Sequence, residues 1–196
     1  MLNKKSFFQF IVFMAAVLLL YPATCLSAGA PTGNVPATGD IFPAEDLKVP
    51  EETVYRQYLG LDADKETFQL KDIQAEFAVV QIFSMYCPIC QREAREVNKL
   101  YELIQGSDAA DKVKLLAIAP GNSAFEVSVY REQYDVQFPL IPDGEYEWHK
   151  IMGEVGTPYF LIVDLDTGEI LEDELGPFGT AQDFFELIEL ILKHVD

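Results

Sequence analysis

Apolar residues in this chain fall into three kinds of run, and each predicts a different element. The first kind is nearly unbroken: Phe77-Ala78-Val79-Val80-Gln81-Ile82-Phe83 and Val113-Lys114-Leu115-Leu116-Ala117-Ile118-Ala119 read as strands buried on both faces of a mostly parallel sheet. The second kind has helical spacing. Ala94, Val97, Leu100, Tyr101 and Ile104, with Arg92, Glu93, Arg95, Glu96 and Lys99 between them, predict a helix of about four turns that ends near Gly106. Phe125 to Tyr134 predicts another, and Glu145 to Met152 a shorter one. Thr180 to His194 predicts a last amphipathic helix with Phe184, Leu187, Ile188, Ile191 and Leu192 turned inward. The third kind is short and alternating. Thr67 to Leu70 and Phe138 to Ile141 read as brief extended pieces, the latter followed by a Pro142-Asp143-Gly144 turn. Tyr159 to Val163 and Glu169 to Glu172 flank Asp164-Leu165-Asp166-Thr167-Gly168 as an antiparallel hairpin. The alternation β, α, β, α, β implies parallel strands with right-handed crossovers. The predicted fold class is α/β, a central mixed sheet flanked by helices.

The segment before this core has a different texture. Lys4 and Lys5 precede an apolar run whose uninterrupted part, Phe10 to Tyr21, is 12 residues long, whereas a membrane-crossing helix needs about 20. Small residues follow. The expectation is a secretory signal peptide over 1–28 with cleavage within 27–30, an exported protein in a periplasmic or other extracytoplasmic compartment, and no stable membrane insertion afterwards. Cys25 then leaves with the leader; a lipid-modified Cys25 is the alternative, disfavoured because Pro22-Ala23-Thr24 precedes it. From 29 to 50, Pro31, Gly33, Pro36, Gly39, Pro43 and Pro50 occur with no period of 2 or 3.6, which predicts a linker or extended arm. Val54 to Leu61 reads as a short helix, and 51–196 as one domain.

Charge narrows the partners. With 14 Lys+Arg against 32 Asp+Glu the net charge is -18, and losing the leader removes two lysines and no acid. A surface of that sign repels phosphate backbones, so nucleic acid is excluded as a partner class. Hydrophobic residues at 49% supply a globular core.

Chemistry concentrates at Cys87-Pro88-Ile89-Cys90. The motif ends a buried strand and opens a helix, whose free N–H groups and positive dipole end favour a thiolate at its start. Cys87 is accordingly the nucleophile. Lowering its pKa makes it attack a partner's disulfide and leave readily. Cys90, one turn later, is the resolving thiol and should be the more buried. Pro88 suits the first helical position, which needs no N–H. Half a zinc site requires a second ligand pair, and His149 and His194 are not spaced as one. A purely structural disulfide closing so short a loop stabilises little.

With these residues in view, the chain from about Thr67 to His194 resembles the thioredoxin superfamily, and more narrowly its exported TlpA/ResA-like thiol–disulfide oxidoreductases. The markers are the strand Ala78 to Phe83, the Cys87/Cys90 motif, the extra helix and strand around Phe125 to Ile141 shared with peroxiredoxin-like members, and Gly156-Thr157-Pro158-Tyr159-Phe160. The resemblance implies a thioredoxin-like fold, and a cis Thr157-Pro158 bond opposite the cysteines with the Thr157 backbone pairing a substrate segment. It also implies Tyr86, Thr157 and Pro158 at the substrate, and no cofactor beyond the redox-active Cys87-Cys90 disulfide. Protein thiols and disulfides become the clients, with an upstream membrane thiol donor if the protein is a reductase.

Three positions depart from that family's pattern. Tyr86 stands where Trp usually precedes the first cysteine. Gln81 occupies the place of a buried acid that takes the resolving thiol's proton, leaving Glu93 or water for that role. Pro88-Ile89 matches neither the Gly-Pro of reducing thioredoxins nor the Pro-His of strong oxidants, so the motif does not set the redox direction; the reductase is the version carried forward. Two other functions compete. A peroxiredoxin needs Pro-x-x-x-(Thr/Ser)-x-x-Cys; Ser84 fits the hydroxyl position, but Val80 stands where proline belongs. A copper-binding assembly factor would use the two cysteines and a distant histidine, His149. Trp148 reads as a packed aromatic, and Tyr130 and Tyr134 as core-facing.

Overall fold

A computed structural model describes residues 33–195. The expected leader, Cys25 and the cleavage bond lie outside the described residues. Seven strands and five helices follow in chain order among those described. They are β1 (Leu47–Lys48), α1 (Thr53–Leu59), β2 (Thr67–Phe68), β3 (Phe77–Ile82), α2 (Pro88–Gln105), β4 (Val113–Pro120) and α3 (Ala124–Tyr134), then β5 (Leu140–Asp143), α4 (Glu147–Ile151), β6 (Tyr159–Asp164), β7 (Ile170–Leu175) and α5 (Ala181–Val195). No described helix is long and apolar enough to cross a membrane.

The main sheet has the order β5-β4-β3-β6-β7. Strands β3, β4 and β5 run parallel, joined by crossovers through α2 and α3, while β6 is antiparallel to β3 and β7 to β6. This is the expected mixed sheet. Every residue of β3 and β4 is buried, because both lie inside the sheet and both of its faces are covered. Alternation sorts their side chains. Phe77 and Val79 of β3, with Leu115 and Ala117 of β4, pack under α2, α3 and α5, whereas Ala78, Val80 and Ile82 face the opposite layer.

That opposite layer is built from irregular chain. Phe42, Leu47 and Val49 of the N-terminal segment are buried in it, β1 pairs antiparallel with β2, and Phe42 stacks on Trp148 at 5.7 Å. The segment read as a linker or arm is thus laid against the domain and supplies part of its core. Trp148 is packed as expected, its indole N–H donating to Asp46 O at 3.0 Å.

Among the boundaries that differ from the sequence expectation, two lie at the edges of the sheet. Pro142 and Asp143 continue β5 instead of starting a turn, which proline tolerates because β5 is an edge strand with no ladder bond to lose on its outer side. The β6/β7 hairpin extends through Asp173, Glu174 and Leu175. Those charged residues can stay in the strand because β7 is the other edge.

Candidate active site

The central strand β3 delivers the cysteine motif to the carboxyl end of the sheet, where open α/β sheets place their ligand sites. Five residues, Phe83 to Cys87, separate β3 from the helix. Cys87 is the N-cap of α2 with Pro88 at its first position, and the Cys90 N–H points to Cys87 Sγ at 3.3 Å. A sulfur thus takes the role that Ser or Asp fills at other helix starts. The loop is tied by Cys87 N–H to Ser84 O at 3.0 Å and by Gln91 Nε2 to Met85 O at 2.7 Å.

The two thiols are free and differently placed, Cys87 half-buried and Cys90 buried. Burial pushes the Cys87 thiol up, but hydrogen bonds from Cys90, Thr157 and the backbone of Ile89 outweigh it, and the net direction is downward from 9.0. Cys90 goes the other way. Burial, then its hydrogen bond with Cys87, pushes it up to about 12. A nucleophilic thiol is therefore set beside one that holds its proton, the asymmetry that stepwise exchange uses.

Opposite the cysteines lies the start of β6. The Thr157-Pro158 bond is cis, and the Cys87 thiol donates to Thr157 O at 3.3 Å. Thr157 and Pro158 are thereby brought to the sulfur, as the resemblance implied. Tyr86 is 64% exposed, and its hydroxyl donates to Glu126 at the start of α3. The Glu126 carboxyl is held down at about 2, chiefly by Ser123 and then by Tyr86.

Gln81 and Glu93 both lie beneath the motif. Gln81 is buried in β3, on the side of the strand that faces α2 by its alternation with Val79 and Phe83. Glu93 is 8% exposed and follows Cys90 by three residues on α2, hence on much the same face. Its carboxylate accepts from Phe178 N at 3.2 Å, and burial raises its pKa. Tyr130 is core-facing, donating to Cys90 O at 3.0 Å.

Two contributors were missed in the sequence. Asn122 is fully buried and accepts the Met85 N–H at 2.8 Å, fixing the cysteine loop to the β4–α3 turn; nothing local to Asn122 signals this. Glu126 was legible in principle. Ser123-x-x-Glu126 ahead of an apolar run is a capping-box pattern, and both reciprocal bonds form. The competing chemistries find less support in the geometry. Among the described residues no arginine hydrogen bonds to Cys87, and Ser84 Oγ faces Tyr86 N at 3.4 Å. His149 Nε2 lies 3.0 Å from Val155 O, and no described cluster of His, Cys, Asp or Glu is arranged to hold a metal ion.

The model of the AhpC/TSA family matches residues 39–170. The chain belongs to that family. Among its curated relatives, the thiol-disulfide oxidoreductase ResA of Halalkalibacterium halodurans is 25% identical over 130 residues, 66% of this chain and 70% of the relative. ResA of Oceanobacillus iheyensis is 25% identical over 180 residues, 88% and 86% of the two chains. Two solved structures carry the same fold as this AhpC/TSA-family member. StoA from Bacillus subtilis has 20% identity and a TM-score of 0.52, with 77% of this chain and 98% of that one covered. A thiol:disulfide interchange protein from Bacteroides sp. has 16% identity and a TM-score of 0.57, covering 80% and 90%.

Proposed function

We propose that this thiol–disulfide oxidoreductase reduces disulfides in protein clients outside the cytoplasm, with Cys87 as nucleophile and Cys90 as resolving thiol. The observation that carries the reading is the contrast between the two sulfurs, Cys87 half-buried at a helix start with its pKa lowered and Cys90 buried with its pKa at about 12. The leader expected over 1–28 supports the compartment.

In the forward direction the Cys87 thiolate attacks one sulfur of the client disulfide. A Cys87–client bond forms, and the client's other sulfur departs as a thiolate that takes a proton from water. Cys90 then gives up its proton, for which Glu93, one helical turn on, is the nearest carboxylate along α2. Its thiolate attacks Cys87 Sγ, so the second client sulfur leaves, and the client gains two electrons while Cys87-Cys90 becomes a disulfide. An upstream membrane dithiol restores the pair. Thr157 and Pro158 hold the client segment beside Cys87, and Tyr86 flanks it.

Equilibrating the protein in thiol/disulfide buffers tests the direction. A potential near about -270 mV fits a reductase, and one near about -120 mV makes the protein an oxidant instead. Cys90→Ser should accumulate mixed disulfides through Cys87; their absence, with exchange intact, would remove the assigned roles.

A further inference from the structure

Between β7 and α5, a cavity of about 160 Å³ is floored by Phe160, Phe178 and Phe184. The three rings contact one another, Phe160 with Phe178 edge-on at 4.8 Å and Phe178 with Phe184 at 4.8 Å. A loop holds Phe178 there. Gly176 and Gly179 bracket Pro177-Phe178 with φ of 105° and 87°, conformations that side chains rarely adopt.

The mouth of this groove is acidic. Glu172 and Glu174 pair across the sheet with Ile162 and Phe160, so their side chains stand on the same face as the Phe160 ring. Neither has a hydrogen bond or ion pair among the described residues. Asp173 and Asp183 also line the cavity, but Asp173 is committed to Thr38 and Tyr159 and Asp183 to Thr180. No lysine or arginine lines it.

The loop that carries Phe178 links the groove to the cysteine site. Gly176 N–H donates to Pro158 O at 2.9 Å, and Phe178 N–H donates to Glu93 at 3.2 Å. Phe160 follows Thr157 by three residues, a distance of about 10 Å along a strand. A client whose cysteine meets Cys87 therefore has to reach about three residues further, past the start of β6, to bring a side chain to the groove.

We propose that the groove binds an arginine side chain of the client, placed near its reactive cysteine, and so selects clients with a basic flank. This rests on the exchange reading given above. The arginine stem and guanidinium plane lie on the Phe178 ring, the partly exposed one of the three, and the guanidinium N–H groups donate to the free carboxylates of Glu172 and Glu174. A lysine would fit the charge but not the stacking.

The test uses oxidised protein and two fluorescent ten-residue peptides containing one S-methylated cysteine. They differ only in having arginine or glutamine three residues from it. Anisotropy should give at least about fivefold tighter binding of the arginine peptide at low salt, a preference that shrinks at about 0.5 M NaCl. Glu172→Gln/Glu174→Gln should erase it, and Phe178→Leu should weaken it. Equal affinities for the two peptides, or a preference that survives the double variant, overturns the assignment. So does a double variant whose one change is self-association, the behaviour expected if these carboxylates serve only to guard the edge of β7. Reduction of oxidised glutathione by the same protein checks the exchange reading separately, since so small a disulfide reaches Cys87 without spanning to β7. Lost arginine preference with intact reduction condemns the groove alone. Arginine preference without reduction upholds the groove and removes the exchange reading.

Discussion

The two faces of the central sheet are covered by different kinds of chain, and they do different work. One face is covered by α2, α3 and α5, with Phe77, Val79, Leu115 and Phe160 packed beneath them, and both cysteines belong to it. The other is covered by the N-terminal segment and short elements, with Phe42, Leu47 and Trp148 at its centre. The helical face sets a reactive sulfur at a helix start, where backbone N–H groups are unsatisfied. The irregular face presents no such end to the cysteines and contributes burial. Chemistry and stability should therefore be separable by face.

The largest separation is expected from Cys87→Ser. It removes the proposed nucleophile on the helical face, so disulfide exchange should fall by at least about a thousandfold, while the thermal midpoint stays near that of the parent, because Cys87 is half-buried and tolerates a similar-sized side chain. Exchange surviving in that variant breaks the assignment. The converse change is Phe42→Ala on the irregular face. Phe42 is buried and stacked on Trp148, so truncation should cost about 3 kcal/mol in denaturant unfolding. Exchange by the folded fraction should be unchanged; a matching loss of activity would show that the faces are coupled.

A third effect belongs to the helical face and depends on redox state. Cys90 ionises at about 12 when folded against 9.0 ordinarily, so its protonated form is favoured by the native state. The resulting stability is complete below about pH 9 and is lost as pH rises towards 12, the loss amounting to about 3 kcal/mol by pH 11. Cys87, whose pKa is lowered, acts oppositely and only below 9. Urea unfolding of the dithiol form should weaken across that alkaline range, and the disulfide form should lack this component. Parallel curves for the two forms would contradict the burial of the Cys90 thiol. The smallest effect sharpens the comparison at its seam. Tyr58 OH accepts the Leu115 N–H at 2.8 Å on β4, two residues before β5 begins to pair with that strand. Tyr58→Phe leaves that N–H without its partner and should cost about 1 kcal/mol, with exchange rates unaffected.

Legibility in the sequence differed between the faces for the same reason. Strands β3 and β4, helices α2, α3 and α5, and the pair Cys87/Cys90 repeat a local physical rule: continuous apolar runs, helical spacing, or a motif at a strand end. Residues 33–50 carry no period, and their packing could not be read from spacing. The proton-holding position was legible only in part, as a missing acid at Gln81 that left Glu93 or water for the role. The burial of Glu93 beside Phe178 required the chain to bring α2 and the β7–α5 loop together.

By itself, then, the sequence determined the α/β alternation, the order of the main elements and the Cys87/Cys90 pair at a strand end, because each depends on neighbours within a few residues. Tertiary structure decided what depends on distant partners. It set Thr157 O against Cys87, 70 residues apart, tied Asn122 to Met85 across 37, and gathered three phenylalanines and two free carboxylates into one groove. Burial and hydrogen bonds to sulfur are long-range consequences of packing, so the difference in acidity between Cys87 and Cys90 belongs to the fold as much as to the motif.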